Sequence, residues 1–218
     1  MTPAMRGQLN RTFRASFSAS DLAVLQTLSS PLKIQEFLWD LPYSADECYR
    51  SPRTVLHDRT AHCFDGALFA AAALRRIGFP PLLVDLLPND RDDDHVIALF
   101  KVRGCWGAVA KSNFAGLTYR EPILRTLREL VLSYFEQFYN TAREKTLRTY
   151  TVPVNLERFD GINWMGSDGQ LDEVAGGLDR ARKLKLLSPS MIRRLAPLDE
   201  RSYHAGLMGS NPDGLFKV

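Results

Sequence analysis

The sequence predicts an α+β fold in which a helix of small residues packs against a short antiparallel sheet. The helix is predicted over 63–77, where alanines fill the centre and Gly78 marks the end. Three strand-like runs follow, over 82–87, 96–102 and 105–110, with polar or glycine-containing turns between them. Because consecutive strands joined by short turns pair antiparallel, we expect these runs to form a small antiparallel sheet.

The segments before this core are predicted from caps and apolar spacing. Ser20-Asp21 resembles an N-cap, and Pro31 suits the first turn of a helix. In chain order, we expect a polar arm over 1–19, a helix over 22–28, a second helix over 31–41 and a turn-rich loop over 42–61 that leads into the site.

The second half of the chain is predicted to be mainly helical. In order, we expect a helix over 121–139, an edge strand over 146–154, a helix over 171–187, and short helices over 190–195 and 199–207. The aromatic stripe on the first of these helices is interpreted as core packing, and it comprises Tyr134, Phe135, Phe138 and Tyr139. The predicted organisation is an arm over 1–19, a core over 20–155 and a helical extension over 156–218 that packs on the core.

Composition limits the classes of protein to consider. A chain of 218 residues, 45% of them hydrophobic and 24% charged, is long enough for one substantial core. The formal charge of +3 is too small for a dedicated nucleic-acid binder. The three cysteines, Cys48, Cys63 and Cys105, show no close pairing, which favours a reducing compartment. Without a signal-peptide or membrane-spanning run, a cytoplasmic protein with no membrane partner is expected, and its oligomeric state stays open.

Cys63 and His95 are the candidate catalytic residues in the sequence, as a nucleophile and its base. Cys63 begins the predicted helix, whose free N–H groups and dipole stabilise a thiolate. His95 opens a strand about thirty residues later, and a strand can hold an imidazole beside the sulfur to move its proton. A cysteine before an alanine-rich helix is also often a small buried core residue, so both interpretations stay open.

The segments 62–74, 94–100 and 104–113 resemble the transglutaminase-like superfamily, a branch of the papain-like cysteine fold, and suggest a bacterial-type member. The resemblance covers roughly residues 30 to 120. It implies a papain-like core with a cysteine at the start of a helix, and a histidine and an acid on the next two strands. Here those positions correspond to Cys63 and His95, but counting from Trp106 places Ala110 where the acid is expected.

Asn113 is the residue that replaces the missing acid in this prediction, because an amide oxygen orients the imidazole in papain-like enzymes. The polar loop over 111–122 is interpreted either as part of a binding cleft or as side chains that satisfy turn backbone. On the first interpretation, the residues predicted to contact substrate are His62, Trp106, Lys111 and Ser112.

Two groups of residues contain possible metal ligands. The carboxylates of 92–94 and His95 cannot easily converge on one ion, because adjacent strand residues point to opposite faces. His57, His62, Cys63 and His95 include zinc ligands, but the chain has neither a CxxC nor an HExxH spacing. No metal or other cofactor is therefore expected.

Three functions remain open from the sequence. The leading hypothesis is a thiol-dependent peptidase, amidase or transglutaminase that acts on a peptide or other amide-containing substrate through Cys63, His95 and Asn113. Ala110 at the acid position supports the alternative, a catalytically inactive member of the same fold that serves as a binding or interaction module. A thiol redox or metal-binding protein is the third, and the lack of a CxxC argues against it.

Overall fold

The α+β prediction is confirmed in the computed structural model of the protein, which describes residues 13–218. All pairings between its strands are antiparallel, in the order β4-β3-β2-β1-β5-β7, and β6 pairs with β1 beside β5. The strands are β1 (Leu82–Leu87), β2 (His95–Val102), β3 (Cys105–Val109), β4 (Arg120–Leu124), β5 (Thr149–Thr151), β6 (Val154–Asn155) and β7 (Lys183–Lys185).

Helices lie before, between and after these strands. They are α1 (Ala19–Thr27), α2 (Pro31–Trp39), α3 (Pro52–Asp58), α4 (Cys63–Arg76), α5 (Leu127–Leu132), α6 (Leu171–Asp179), α7 (Pro189–Ile192) and α8 (Glu200–Gly206). Short 3₁₀ helices cover Phe135–Gln137, Leu156–Ile162 and Pro212–Gly214.

Helix α4 is the centre of the larger hydrophobic core. Twelve of its 14 residues are buried, because alanines let neighbouring elements approach on every side. It packs on the face of β2 that carries Val96, Ala98 and Phe100. The opposite face of β2 carries Ile97 and Leu99 and packs in a second core with Tyr134, Phe135 and Phe138 of the predicted aromatic stripe. Tyr139 is also buried, but outside this cluster.

The prediction of one helix over 121–139 is wrong. Residues Arg120–Leu124 instead form β4, an edge strand paired with β3, where Pro122 is tolerated because edge positions can lack a ladder hydrogen bond. The Thr126 side chain then accepts a hydrogen bond from the Glu129 N–H and starts the short helix α5. Sheet pairing therefore overrides a helical spacing of apolar residues.

Two more segments differ from the prediction. The turn-rich loop over 42–61 contains helix α3, which the Ser51 side chain caps by accepting a hydrogen bond from the Thr54 N–H. The helix predicted over 171–187 ends at Asp179, and β7 follows it and pairs with β5. Helix α3 depends on its cap and β7 on its pairing with β5. Neither contact can be predicted from the spacing of apolar residues in the sequence.

The remaining predicted helices are confirmed with small shifts. Helix α1 is capped by Ser18, two residues before the predicted position, and Asp21 completes its capping box. The segment predicted as an edge strand over 146–154 divides into β5, which lies between β1 and β7, and β6. Residues 1–12 of the predicted arm lie outside the described residues, and Phe13 and Phe17 are buried in the core.

The extension over 156–218 is joined to the core by several contacts. Its residues Trp164 and Leu171 belong to the same hydrophobic cluster as α4. Its Asp160 accepts two hydrogen bonds of 2.7 Å from the Arg75 guanidinium, at the last turn of α4. The extension therefore supports the helix that begins at Cys63.

Gly66 permits the closest approach between α4 and the segment after β3. A Cβ at this position would lie 2.2 Å from Lys111 Cβ. We therefore expect Gly66→Ala to lower the free energy of unfolding by about 1–3 kcal/mol, although alanine normally stabilises a helix by roughly 1 kcal/mol relative to glycine. Urea unfolding measures this change.

Gly176→Ala in α6 provides the matched control. A Cβ there meets only the end of the Arg180 side chain, at 2.9 Å, and this flexible side chain can move. This variant should be stabilised by about 0.5–1 kcal/mol. Equal stabilisation by both substitutions would contradict the close packing at Gly66.

Candidate functional site

Two cavities meet at the start of α4. The larger has a volume of about 380 Å³, and the smaller has a volume of about 50 Å³. Cys63 lines both cavities. His62 and Asp85 contribute to the wall of the larger one, whereas His95 and Asn113 line the smaller one.

The N-terminus of α4 is fixed by an imidazole cap. His62 Nδ1 accepts hydrogen bonds from the N–H groups of Phe64 at 3.1 Å and Asp65 at 3.4 Å, and the Asp65 carboxylate accepts one from the His62 N–H. Burial lowers the pKa of His62 to about 4, and the charge of Arg50 adds to this effect. His62 is therefore neutral at physiological pH, which keeps Nδ1 free to accept.

The thiol of Cys63 lies beside the start of β2 and is half-buried. Its Sγ is 3.9 Å from the Asp94 carbonyl oxygen, and Tyr43 lines the same two cavities as Cys63. Burial, followed by the negative charge of Asp94, raises the pKa of the Cys63 thiol, so the thiol is protonated at rest.

His95 is buried on the second-core side of β2. Its Nε2 donates to the Leu117 carbonyl oxygen at 2.8 Å, and its ring meets those of Tyr134 and Phe138 edge-on. Burial lowers the pKa of His95 to about 4, so the ring is neutral. Because a carbonyl can only accept, Nε2 carries the proton and Nδ1 is unprotonated. Among the described residues, no hydrogen bond joins this imidazole to the Cys63 thiol.

Asn113 holds the C-terminal tail and makes no hydrogen bond to His95. Its Oδ1 accepts from the Asn211 N–H at 2.7 Å, and its Nδ2 donates to the Asn211 carbonyl at 2.8 Å. Asn211 also donates through Nδ2 to the Tyr43 carbonyl at 3.0 Å. The tail is thereby fastened over Cys63, and residues 213–216 line the larger cavity.

Ala110 is buried at the position where the resemblance implies an acid. Its backbone N–H and carbonyl are both hydrogen-bonded to the Gln35 side chain, at 3.0 and 2.9 Å. In the described structure the Leu117 carbonyl is the group that orients the His95 ring. A backbone oxygen thus occupies the place that the sequence analysis gave to a side chain.

The predicted substrate-contacting residues lie in different places. Ser112 lines the smaller cavity and accepts from the Phe114 N–H. Lys111 is buried and donates to the carbonyls of Leu38 and Leu41, and burial lowers its pKa to about 8. The Trp106 ring lies under Lys101 Nζ, 4.6 Å from its centroid. Neither Lys111 nor Trp106 is brought to these two cavities.

Asp85 and Asp94 are site residues that the sequence analysis did not select. Asp85 lines the larger cavity from the middle of β1 and is only 1% exposed. Asp94 is exposed and lines the same cavity. Burial raises the pKa of both carboxyl groups; the charge of Asp94 adds to the effect on Asp85, and the charge of Asp93 adds to the effect on Asp94, so at least one of the two is protonated near neutral pH. A single aspartate in the apolar run Leu82–Leu87 was the available signal.

Comparison with known proteins gives little support for a particular function. No family model and no curated protein matches the chain. Among solved structures, Legionella pneumophila LapG is similar at 12% identity and a TM-score of 0.39, over 79% of this chain and 95% of that one. A likeness of this size carries no argument about chemistry, so the case for function depends on the residues.

Two further properties concern the described region as a whole. Within residues 13–218, no group of three or more His, Cys, Asp or Glu side chains is arranged to hold a metal ion. None of the helices in the same range has the length and apolar character that crossing a bilayer requires.

The buried carboxyl of Asp85 generates a prediction about stability and pH. Because its pKa is higher in the folded than in the unfolded protein, its contribution to stability is lost as the pH rises from about 4 towards 8. We expect Asp85→Asn to raise the free energy of unfolding at pH 8 by about 1–3 kcal/mol and to have little effect at pH 4. Urea unfolding at both pH values measures this.

Asp90→Asn removes a charge from the turn that follows β1 without changing a buried group, since Asp90 is exposed. This control should leave stability unchanged within about 0.5 kcal/mol at both pH values. A gain from Asp85→Asn that is the same at pH 4 and pH 8 would contradict the assignment.

The contact between Asn113 and Asn211 generates a second prediction. Asn113→Ala removes its two hydrogen bonds to the tail, together worth about 2 kcal/mol, so Cys63 should react with iodoacetamide up to about 30-fold faster. The rate is measured in a Cys48→Ser/Cys105→Ser background. Asn113→Asp keeps the acceptor and should give a smaller increase, whereas no increase with alanine would show that the tail does not limit access.

Proposed function

We propose that the protein is a thiol-dependent enzyme that transfers or hydrolyses an acyl group of an amide or peptide, with Cys63 as nucleophile and His95 as base. The observation that carries the proposal is that the Cys63 thiol and the His95 imidazole line one small cavity at the start of α4. The same thiol also faces the larger cavity, which has room for an acyl substrate. The resemblance to the transglutaminase-like superfamily supports the same assignment.

The proton positions define the first step of the proposed reaction. The thiol is protonated and His95 Nδ1 is unprotonated, so the proton passes from Sγ to Nδ1 as Sγ attacks the carbonyl carbon. Because no hydrogen bond joins the two groups at rest, the proposal requires the His95 ring to move to the thiol before this transfer. The Leu117 carbonyl keeps the other ring nitrogen protonated and holds the ring in this tautomer.

The later steps use the same groups. The Cys63 N–H at the start of α4 and the hydroxyl of Tyr43, which lines both cavities with Cys63, are the proposed donors for the developing oxyanion. Nδ1 returns its proton to the leaving nitrogen as the C–N bond breaks, which leaves a thioester on Cys63. Water then releases the acid, or an amine accepts the acyl group, and either restores the thiol.

A second candidate function is a binding module without catalytic activity. Three observations favour it: the raised pKa of Cys63, the alanine at position 110, and the absence of a thiol–imidazole hydrogen bond in the described residues. In that case the larger cavity binds a ligand and Cys63 is a wall residue. A cytoplasmic location stays part of the proposal for either function, on the unpaired cysteines.

The rate of Cys63 alkylation between pH 5 and pH 9 distinguishes these two functions. In the Cys48→Ser/Cys105→Ser background, base assistance by His95 predicts that His95→Gln slows alkylation at pH 7 by about 100-fold. Glutamine keeps a donor for the Leu117 carbonyl, so the core is preserved. His204→Gln, at an exposed helix position, should leave the rate unchanged.

A rate that is identical with and without His95, and that rises only with an ordinary thiol pKa near 8.5, would overturn the enzyme proposal. The binding module would then be the better account. A loss of folding in His95→Gln is detected separately by circular dichroism.

A further inference from the structure

The larger cavity carries an excess of negative charge. Among the described residues, six of its carboxylates make no ion pair, and no lysine or arginine lines its wall. These six are Glu47, Asp85, Asp93, Asp94, Asp179 and Asp213. Acidic side chains from separate segments of the chain therefore face one space with no lysine or arginine in its wall. They carry an excess of negative charge although at least one of Asp85 and Asp94 is protonated near neutral pH.

Asp85 adds an unsatisfied hydrogen-bond acceptor to the wall of the cavity. Its side chain is 1% exposed, and its Oδ1 has no hydrogen-bond partner in the described structure. A buried oxygen without a donor costs about 1–3 kcal/mol. Because Asp85 lines the cavity, a ligand that carries N–H donors can reach the region of this oxygen.

The nearby basic groups do not neutralise these carboxylates. Arg50 contacts Asp46, Asp58 and Asp65, so its charge is already shared among three partners. His62 is the imidazole in the cavity wall, and its role as helix cap requires the neutral form. The charge of Lys183 on β7 also acts on Asp85, but no ion pair of the described structure joins the two residues, so the wall of the cavity keeps an excess of acidic side chains.

Aromatic rings complete the wall. Tyr49 and Phe64 lie with ring centroids 4.7 Å apart, and Tyr43 lines the cavity next to Cys63. A guanidinium stacks on aromatic faces and donates two parallel hydrogen bonds to a carboxylate, which an ammonium does less well. A volume of about 380 Å³ is sufficient for an arginine-sized group.

We propose that the larger cavity is a subsite for a guanidinium group, the side chain of an arginine-like residue, with Asp85 and Asp94 as its carboxylate partners. This inference rests on the proposed function in that it assigns the substrate class of the Cys63 site. Binding itself requires no chemistry at Cys63, so the two proposals can fail separately.

Calorimetric titration of the Cys63→Ser protein tests the proposal without turnover. The probes are Nα-benzoyl-arginine amide and Nα-benzoyl-citrulline amide, which have the same shape but differ in charge. We expect the arginine compound to bind at least tenfold more tightly at pH 7 and low salt. Asp85→Asn should reduce this ratio to about two or less, whereas Asp90→Asn, outside the cavity, should leave it unchanged.

Asp94→Asn is the second variant, and it should lower the same ratio if Asp85→Asn does not fold. Equal affinity for the two probes, no binding of either, or a ratio that survives both cavity variants would overturn the subsite. If the protein binds the arginine probe more tightly but Cys63 alkylation does not depend on His95, the subsite is retained and the enzyme proposal is rejected. If alkylation depends on His95 but the two probes bind equally, the enzyme proposal is retained and the subsite is rejected.

Discussion

The burial of helix α4 on all sides is the constraint on which the rest of the structure depends. A helix of this kind can be surrounded only if its residues are small, and Ala70, Ala71, Ala72 and Ala73 meet that requirement. The surrounding elements fix its axis and depth, so its first residue, Cys63, lies at the start of β2. The position of the thiol is therefore a consequence of core packing. The capping box of His62 and Asp65 additionally fixes the N-terminus of α4, where Cys63 lies.

The site combines neutral imidazoles with carboxyl groups that are partly protonated. Burial keeps His62 and His95 uncharged, and it raises the pKa of Asp85 and Asp94. Such an arrangement costs stability, because the carboxyl groups repel one another and Asp85 has an unsatisfied oxygen. Strongly shifted titratable groups beside a cavity are characteristic of functional sites, which is why this region is the favoured candidate.

The C-terminal tail is part of the site even though it is remote in sequence. Asn211 pairs with Asn113 and contacts the carbonyl of Tyr43, so the tail is held between two elements that also surround Cys63. Asp213 and Phe216 then contribute one charged and one apolar part of the cavity wall. The tail beside the thiol is consequently held by a few hydrogen bonds at the edge of the core.

The sequence by itself determined the elements that depend on local patterns. It predicted α4, the three strands that follow and the position of Cys63 at a helix start, because small-residue content, Gly78 and strand patterns are local signals. Tertiary structure alone decided that Arg120–Leu124 pairs as a strand, that Asn113 binds the tail, and that Leu117 orients His95. These outcomes depend on backbone groups distant in the chain, and no residue pattern reports where a carbonyl will lie after folding.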